Sequence, residues 1–337
     1  MFFTIAPQIF SQSNIDMHNL NKVWSVCTEQ HTFYLSDFDA LEAIEASDWH
    51  QGLSVADQKL LEESFVKSME MNNGQDKVKV AIGDTHTAFE AFQYLNSPLK
   101  IILENSRNDA HFLQAIFRCF RQDTKKIKEH IDNRWIQFVM GGGSSIEQVI
   151  ETEKDSFNAP SFTKDKSEYL RCFVLLDSDK TYSTEPLKDG LNNLVAFLDR
   201  NNVPFHILEK REMENYIPDI AFGDVTENRP YIEAYLRFTA EQKDYFDLEK
   251  GFRNVNFDAL PVELQTLFST VDAQDKAIFR RNNMKNFTNS GREDFKTECP
   301  KLFNLECVDR ASLISRTQYQ QNPNELKEII QKIRELL

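Results

Sequence analysis

The stretch Arg171-Cys172-Phe173-Val174-Leu175-Leu176-Asp177-Ser178-Asp179 reads as a buried strand that ends abruptly in two acids. A continuous apolar run of this length, with no polar alternation, suits a strand covered on both faces, as in parallel sheets. Three further runs share its character: Leu99–Leu103, Trp135–Met140 and Pro204–Leu208. Helical segments separate them. From Asp109, the positions Phe112, Leu113, Ile116, Phe117 and Phe120 make one apolar face. Ser144 and Ser145 offer helix N-caps, with Glu147 and Gln148 three residues on. Leu187, Leu191, Leu194, Val195 and Leu198 mark a third helix. Alternation of this kind predicts an α/β fold, a mostly parallel sheet flanked by crossover helices.

Ligands of open α/β sheets bind beyond the carboxyl ends of the strands. Here the first run leads directly into Glu104, with Asp109 opening the next helix. The third leads into Asp177 and Asp179. The fourth leads into Glu209, followed by Arg211, Glu212 and Glu214. Carboxylates gathered at one edge repel each other unless protons or a cation neutralise them. Hard oxygen ligands suit Mg²⁺ or Mn²⁺, and a pair of such ions stabilises the attacking and leaving oxygens of phosphodiester cleavage. The bland readings are an N-cap at Asp109 and a turn at Asp177–Asp179.

Around this centre the chain divides into 1–96, 97–220 and 221–337. The first part mixes strand-like runs (Val23–Val26, Thr32–Leu35, Val78–Ile82) with helical stretches at Ser54–Met69 and Thr85–Leu95. It is expected as a structural or partner-binding α+β region. The last part is expected to be mainly helical. It ends in a helix capped by Asn322, with Pro323 in the first turn and an apolar stripe of Leu326, Ile329, Ile330, Ile333, Leu336 and Leu337.

With 337 residues, 41% hydrophobic and 27% charged, the composition is that of a soluble globular protein with a sizeable core. Phe is abundant at 27, against 10 Gly and 10 Pro, which favours continuous packed elements over loops. No apolar run approaches the roughly 20 residues a membrane span needs. The opening MFFTIAPQIF lacks a basic leader and is not read as a signal peptide. Five cysteines, odd in number and without zinc-ligand spacing, fit a reduced cytoplasmic protein. The net charge of −14 excludes a generic nucleic-acid coat. Locally, Phe117–Arg134 and Asp275–Lys301 are enriched in Lys and Arg, a pattern equally suited to solvated surface and to a phosphate track.

Glu after the first strand, a Gly-rich turn (Gly141–Gly143) after the second and Asp-x-Asp after the third resemble the TOPRIM domain of topoisomerases, primases and OLD-type nucleases. Leu208–Asp219 (LEKREMENYIPD) and Lys243–Phe252 (KDYFDLEKGF) are more similar to OLD-like and related defence-associated TOPRIM nucleases than to topoisomerases. The resemblance covers Leu99 to Phe252. It implies Glu104 as a metal ligand or general acid/base, Asp177 and Asp179 as metal ligands, and Asp109 as the second acid of the first motif. It further implies Glu212 and Glu214 completing a second metal position, and Lys243 or Lys250 as a positive charge near the scissile phosphate. The implied activity is Mg²⁺- or Mn²⁺-dependent endonucleolytic cleavage of DNA or RNA by a phage-defence effector. The implied assembly is a homodimer working with a separate ABC- or AAA-type ATPase chain, since the glycine run lacks the P-loop lysine. The chain departs from the family at Asn105, where Gly is usual, and at Asp109, five residues after Glu104 rather than four.

Two other readings fit the same residues. Asp177-Ser178-Asp179-Lys180-Thr181 matches the first motif of haloacid-dehalogenase-like phosphohydrolases, with Asp177 as nucleophile and Gly223-Asp224 as the later acidic loop. A non-catalytic cation- or partner-binding module with a degenerate acidic site is the second. His111 and His206 are expected to be structural, the latter as a buried, hydrogen-bonded core residue.

Overall fold

The apolar runs form seven strands among the described residues: β1 (Phe2–Ile5), β2 (Thr32–Phe33), β3 (Val78–Ile82), β4 (Leu99–Leu103), β5 (Ile136–Met140), β6 (Cys172–Leu176) and β7 (Phe205–Ile207). The structure is a computed structural model that describes all residues except 12–14, 72, 143–144, 224, 254–255 and 289–291, and the side chain of residue 258. Its strands make two sheets, both entirely parallel: β2-β1-β3, and β5-β4-β6-β7. The chain is therefore α/β.

The four-stranded sheet has helices on both faces, as its unbroken apolar strands require. Ile101 and Leu103 of β4 and Phe173 and Leu175 of β6 point to one face. Their neighbours Ile102, Val174 and Leu176 point to the other, against Ile146, Ile150 and Leu198. This two-sided burial follows from the period-2 geometry of a strand. The helices behind the second face are Ser145–Asp155 and Asp189–Arg200. The first face receives the helix Ala110–Cys119 and most of the chain beyond β7. A single hydrophobic cluster runs from Leu99 to Leu337, so the last third of the chain closes over the sheet. Arg118 and Lys126 help fasten it, donating to the Phe303 carbonyl (2.7 Å) and the Leu337 carbonyl (2.9 Å).

Four expectations are corrected. The first segment is not α+β: β1, hidden in the apolar opening, is the centre of a parallel sheet. Val23–Val26 is not a strand but part of a helical run, Met17–Lys22 continuing into a π-turn at Val23–Cys27. Its buried residues Leu20, Val23, Trp24 and Cys27 fall at i, i+3, i+4 and i+7, the helical period. Thr32–Leu35 is paired only over Thr32–Phe33. The last helix spans Glu325–Glu335 and begins two residues later than expected, with Asn324 as its N-cap. Asn322 and Pro323 lie outside it, because the Asn322 amide donates to the Glu209 carboxylate at 2.8 Å. Its stripe of Leu326, Ile329, Ile330 and Ile333 is buried, as the pattern predicted. Among the described residues no helix is long and apolar enough to cross a membrane.

Phenylalanine supplies much of the core beyond β7. The ring of Phe246 lies 4.9 Å from Phe279, 5.0 Å from Phe238 and 5.2 Å from Phe252, all edge-on. Truncating it removes many contacts that the rigid neighbours cannot close over. Phe246→Ala should cost about 3–5 kcal/mol, read as a lowered urea midpoint with an unchanged slope.

Candidate functional site

The chain leaves β4 for β5 on one side and later returns to β6 on the other, so the crevice between β4 and β6 is the topological switch point. Glu104 follows β4 and Asp177 follows β6, which places both at that crevice. They line one cavity of about 590 Å³, together with Asp179, Glu147 and Lys188. Asp179 has a left-handed backbone (φ 54°), a conformation that Asp tolerates better than most residues. The turn is tied to the segment after β7: the Asp179 amide donates to the Arg211 carbonyl (2.9 Å) and the Ser178 hydroxyl to the Lys210 carbonyl (2.7 Å). The Asp179 carboxylate meets the Lys188 ammonium at 3.2 Å.

That segment packs behind the turn, outside the lining of the cavity. Glu212 and Glu214 are both buried, on a short 3-10 turn, Met213–Tyr216, that Glu212 and Asn215 close as a capping box. The Asn215 side chain donates to the carbonyls of Lys243 (2.7 Å) and Phe246 (2.9 Å), which fixes the turn against the core. The Met213 amide donates to Asp177 Oδ1 at 3.1 Å, a direct link between the two segments. Lys296 reaches in from the far end of the chain, 3.5 Å from Glu212 Oε2 and 3.4 Å from Glu214 Oε1.

The electrostatics follow from this crowding. Burial pushes the Asp177 carboxyl well above the usual range, and Glu214, Glu212, Asp109 and Glu104 push it further. Burial likewise lifts Asp109 to about 7, with Glu214 and Glu104 adding to it and the Asn105 amide, 2.7 Å from Oδ2, pulling back. Glu212 is raised by burial, which the neighbouring Lys296 opposes. Burial would lower Lys296, but Glu214, Glu212 and Asp177 hold its ammonium charged. Glu104, Asp109, Glu212 and Glu214 thus all act on Asp177. Asp109 does not make the N-cap hydrogen bond of its helix; its carboxylate turns back to Asn105 instead.

Lys243 stands apart. Its ammonium pairs with Asp219 at 2.6 Å and lies over the Tyr235 ring, while Lys250 pairs with Asp247. The cations beside the acids are Arg211, 3.4 Å from Glu212 Oε1, and Lys296, which the sequence shows only as one of several basic residues in 275–301. No local pattern marks it, since its partners lie more than 80 positions away. His206 is buried and bonded to Glu325 at 2.9 Å, as expected of a structural histidine. His111 contacts Asn304. Gly141 sits so close to Ile102 and Ile146 that a Cβ there would lie 2.6 Å and 2.7 Å from their side chains, which favours the packing role of the glycine turn. Gly143 and Ser144, and Asp224 of the phosphohydrolase reading, lie outside the described residues.

The donor set suits a hard divalent cation: carboxylate oxygens, in excess over the cations Lys296, Arg211 and Lys188 among them. As the side chains stand, no three His, Cys, Asp or Glu among the described residues converge on one point. Lys296 and Arg211 supply the positive charge beside Glu212 and Glu214. No family model, curated protein or solved structure matches the chain.

A carboxyl whose pKa rises on folding binds extra protons in the native state, so the fold loses stability as pH climbs through that interval. For Asp109 the interval runs from its ordinary 3.8 to about 7. Asp109→Asn should remove that loss. With divalent ions chelated, the wild-type Tm should fall relative to the variant between pH 4 and 7. Parallel Tm curves across that range would refute the shift.

Proposed function

We propose that the chain is a Mg²⁺- or Mn²⁺-dependent endonuclease that hydrolyses phosphodiester bonds of DNA or RNA. The observation that carries this reading is the meeting of Glu104 and Asp177 at the switch point of a parallel sheet, within a group of five carboxylates that Lys296 and Arg211 do not neutralise. Asp177, Glu104 and Asp179 are the residues that would hold a first ion, and Glu212 and Glu214 a second. Divalent ions in such a site supply Lewis-acid stabilisation of the attacking and leaving oxygens.

The chain's own residues do the rest. Glu104 is exposed at the mouth of the cavity, where a carboxylate can take the proton of an attacking water. The Met213 amide holds one Asp177 oxygen and leaves the other for a ligand. Lys188 beside Asp179 offers a positive contact to a phosphate backbone at the cavity wall. The resemblance to defence-associated TOPRIM nucleases supports a role as a phage-defence effector, acting in the cytoplasm as a homodimer with a separate ATPase chain.

Incubated with Mn²⁺ or Mg²⁺ and a panel of DNA and RNA, with the ATPase chain where one is needed, the protein should cut at least one substrate. Glu104→Gln and Asp177→Asn should each slow cutting about 100-fold or more with an unchanged circular dichroism spectrum. Phosphomonoester hydrolysis that survives Glu104→Gln but not Asp177→Asn would assign a phosphohydrolase instead. Absence of any metal-dependent rise in Tm would leave a non-catalytic module, because a ligand that binds the native state must stabilise it.

A further inference from the structure

A second cavity, of about 480 Å³, lies at the opposite edge of the same sheet. Its walls include Leu99 at the start of β4, Leu170 and Arg171 just before β6, and Pro204 just before β7. The other wall is Lys79 of β3, with His86 and Tyr94 from the segment that follows β3. The cavity therefore sits between the two sheets, the full length of the strands away from the acids.

Its chemistry is the reverse of the acidic site. Arg171 is 6% exposed and has no carboxylate partner among the described residues. Its guanidinium donates only to backbone carbonyls, those of Leu95 (3.0 Å), Ser97 and Leu336 (3.5 Å), and its buried Nε has no partner. A buried cation left this way is costly unless an anion completes it. Lys79 forms no ion pair either among the described residues. Lys164 approaches the His86 ring at 3.4 Å, and its nearest carboxylate, on the half-exposed Glu168, is 3.7 Å away. Glu335 is the other acid on the wall, and it accepts from Gln331. The His86 and Tyr94 rings are stacked at 6.0 Å.

We propose that this cavity binds a small phosphate-bearing molecule, with Arg171, Lys79 and Lys164 as its cationic contacts. Arg171 lines the cavity with a guanidinium already fixed by the carbonyls it holds, so little ordering is needed on binding. The two lysines close the charge from the open side. The volume suits a small ligand rather than a strand of nucleic acid. The site is independent of the nuclease reading, since it shares no residue with the acids and needs no metal.

Inorganic pyrophosphate is the probe, titrated calorimetrically into the full chain with EDTA present. Saturable binding is expected, about tenfold or more weaker in Lys79→Ala/Lys164→Ala, because charge-assisted bonds to both lysines are lost. These two side chains are not core residues, so the variant should keep the wild-type Tm without ligand. Asp177→Asn should bind as the wild type does. No saturable heat, binding unchanged in the double lysine variant, or binding lost in Asp177→Asn would each overturn the proposal.

Discussion

Like charges held at close range govern this molecule. Glu104, Asp109, Asp177, Glu212 and Glu214 come from three places in the chain, and the other four all raise the cost of ionising Asp177. A carboxyl displaced from 3.8 to about 7, as Asp109 is, costs on the order of 4 kcal/mol in its ionised form. Against a total stability of about 5–15 kcal/mol for a typical domain, such a group persists only if the surrounding structure is over-determined. The rest of the fold supplies that rigidity.

The segment after β7 shows how. Glu212 and Glu214 follow a strand of only three residues, too short to position them by itself. Beside this segment lies a buried polar network. Lys210 is fully buried against Asp244, Arg316 meets the same carboxylate at 2.9 Å, and Lys210 also donates to the Arg316 carbonyl at 2.8 Å. Beside it, Glu325 gathers His206 (2.9 Å), the Glu209 amide (2.8 Å) and the Tyr216 hydroxyl. Buried ion pairs contribute little net stability, but breaking one is costly. They are therefore better suited to fixing one arrangement of the segment 209–216 than to strengthening the fold. The last helix, through Glu325, holds the segment 209–216 in place.

The central sheet and its acids were legible because their signals are local. Apolar runs of strand length, each ending in a carboxylate, report both the element and the edge at which its acid emerges. Glu104 and Asp177 follow from that alone. Lys296 does not, because its partnership depends on how a distant segment folds back over the sheet. Lys243 illustrates the converse: the right type of residue near a matching motif, yet its ammonium is committed to Asp219. Val23–Val26 shows how four apolar residues fit a strand or a helix equally, until Leu20 and Cys27 extend the spacing to the helical period. β1 was hidden because nothing in a short apolar opening says which strands will flank it.

Parallel sheets also give the molecule a polarity. Crossover helices begin near the carboxyl ends of the strands, so the positive ends of Ala110–Cys119, Ser145–Asp155 and Asp189–Arg200 lie on the side of Glu104 and Asp177. At the other edge, the carbonyl of Leu95, in the last turn of the helix Ala88–Asn96, faces Arg171. Dipoles therefore favour anions at one edge and cations at the other. Each helix end contributes about 0.3–1 kcal/mol at an exposed site, which is small beside the cost of ionising Asp109 alone. The fold can bias the two edges but cannot neutralise the acids. Lys296 offsets part of the remainder, and the excess negative charge at the switch point is what a divalent cation would complete.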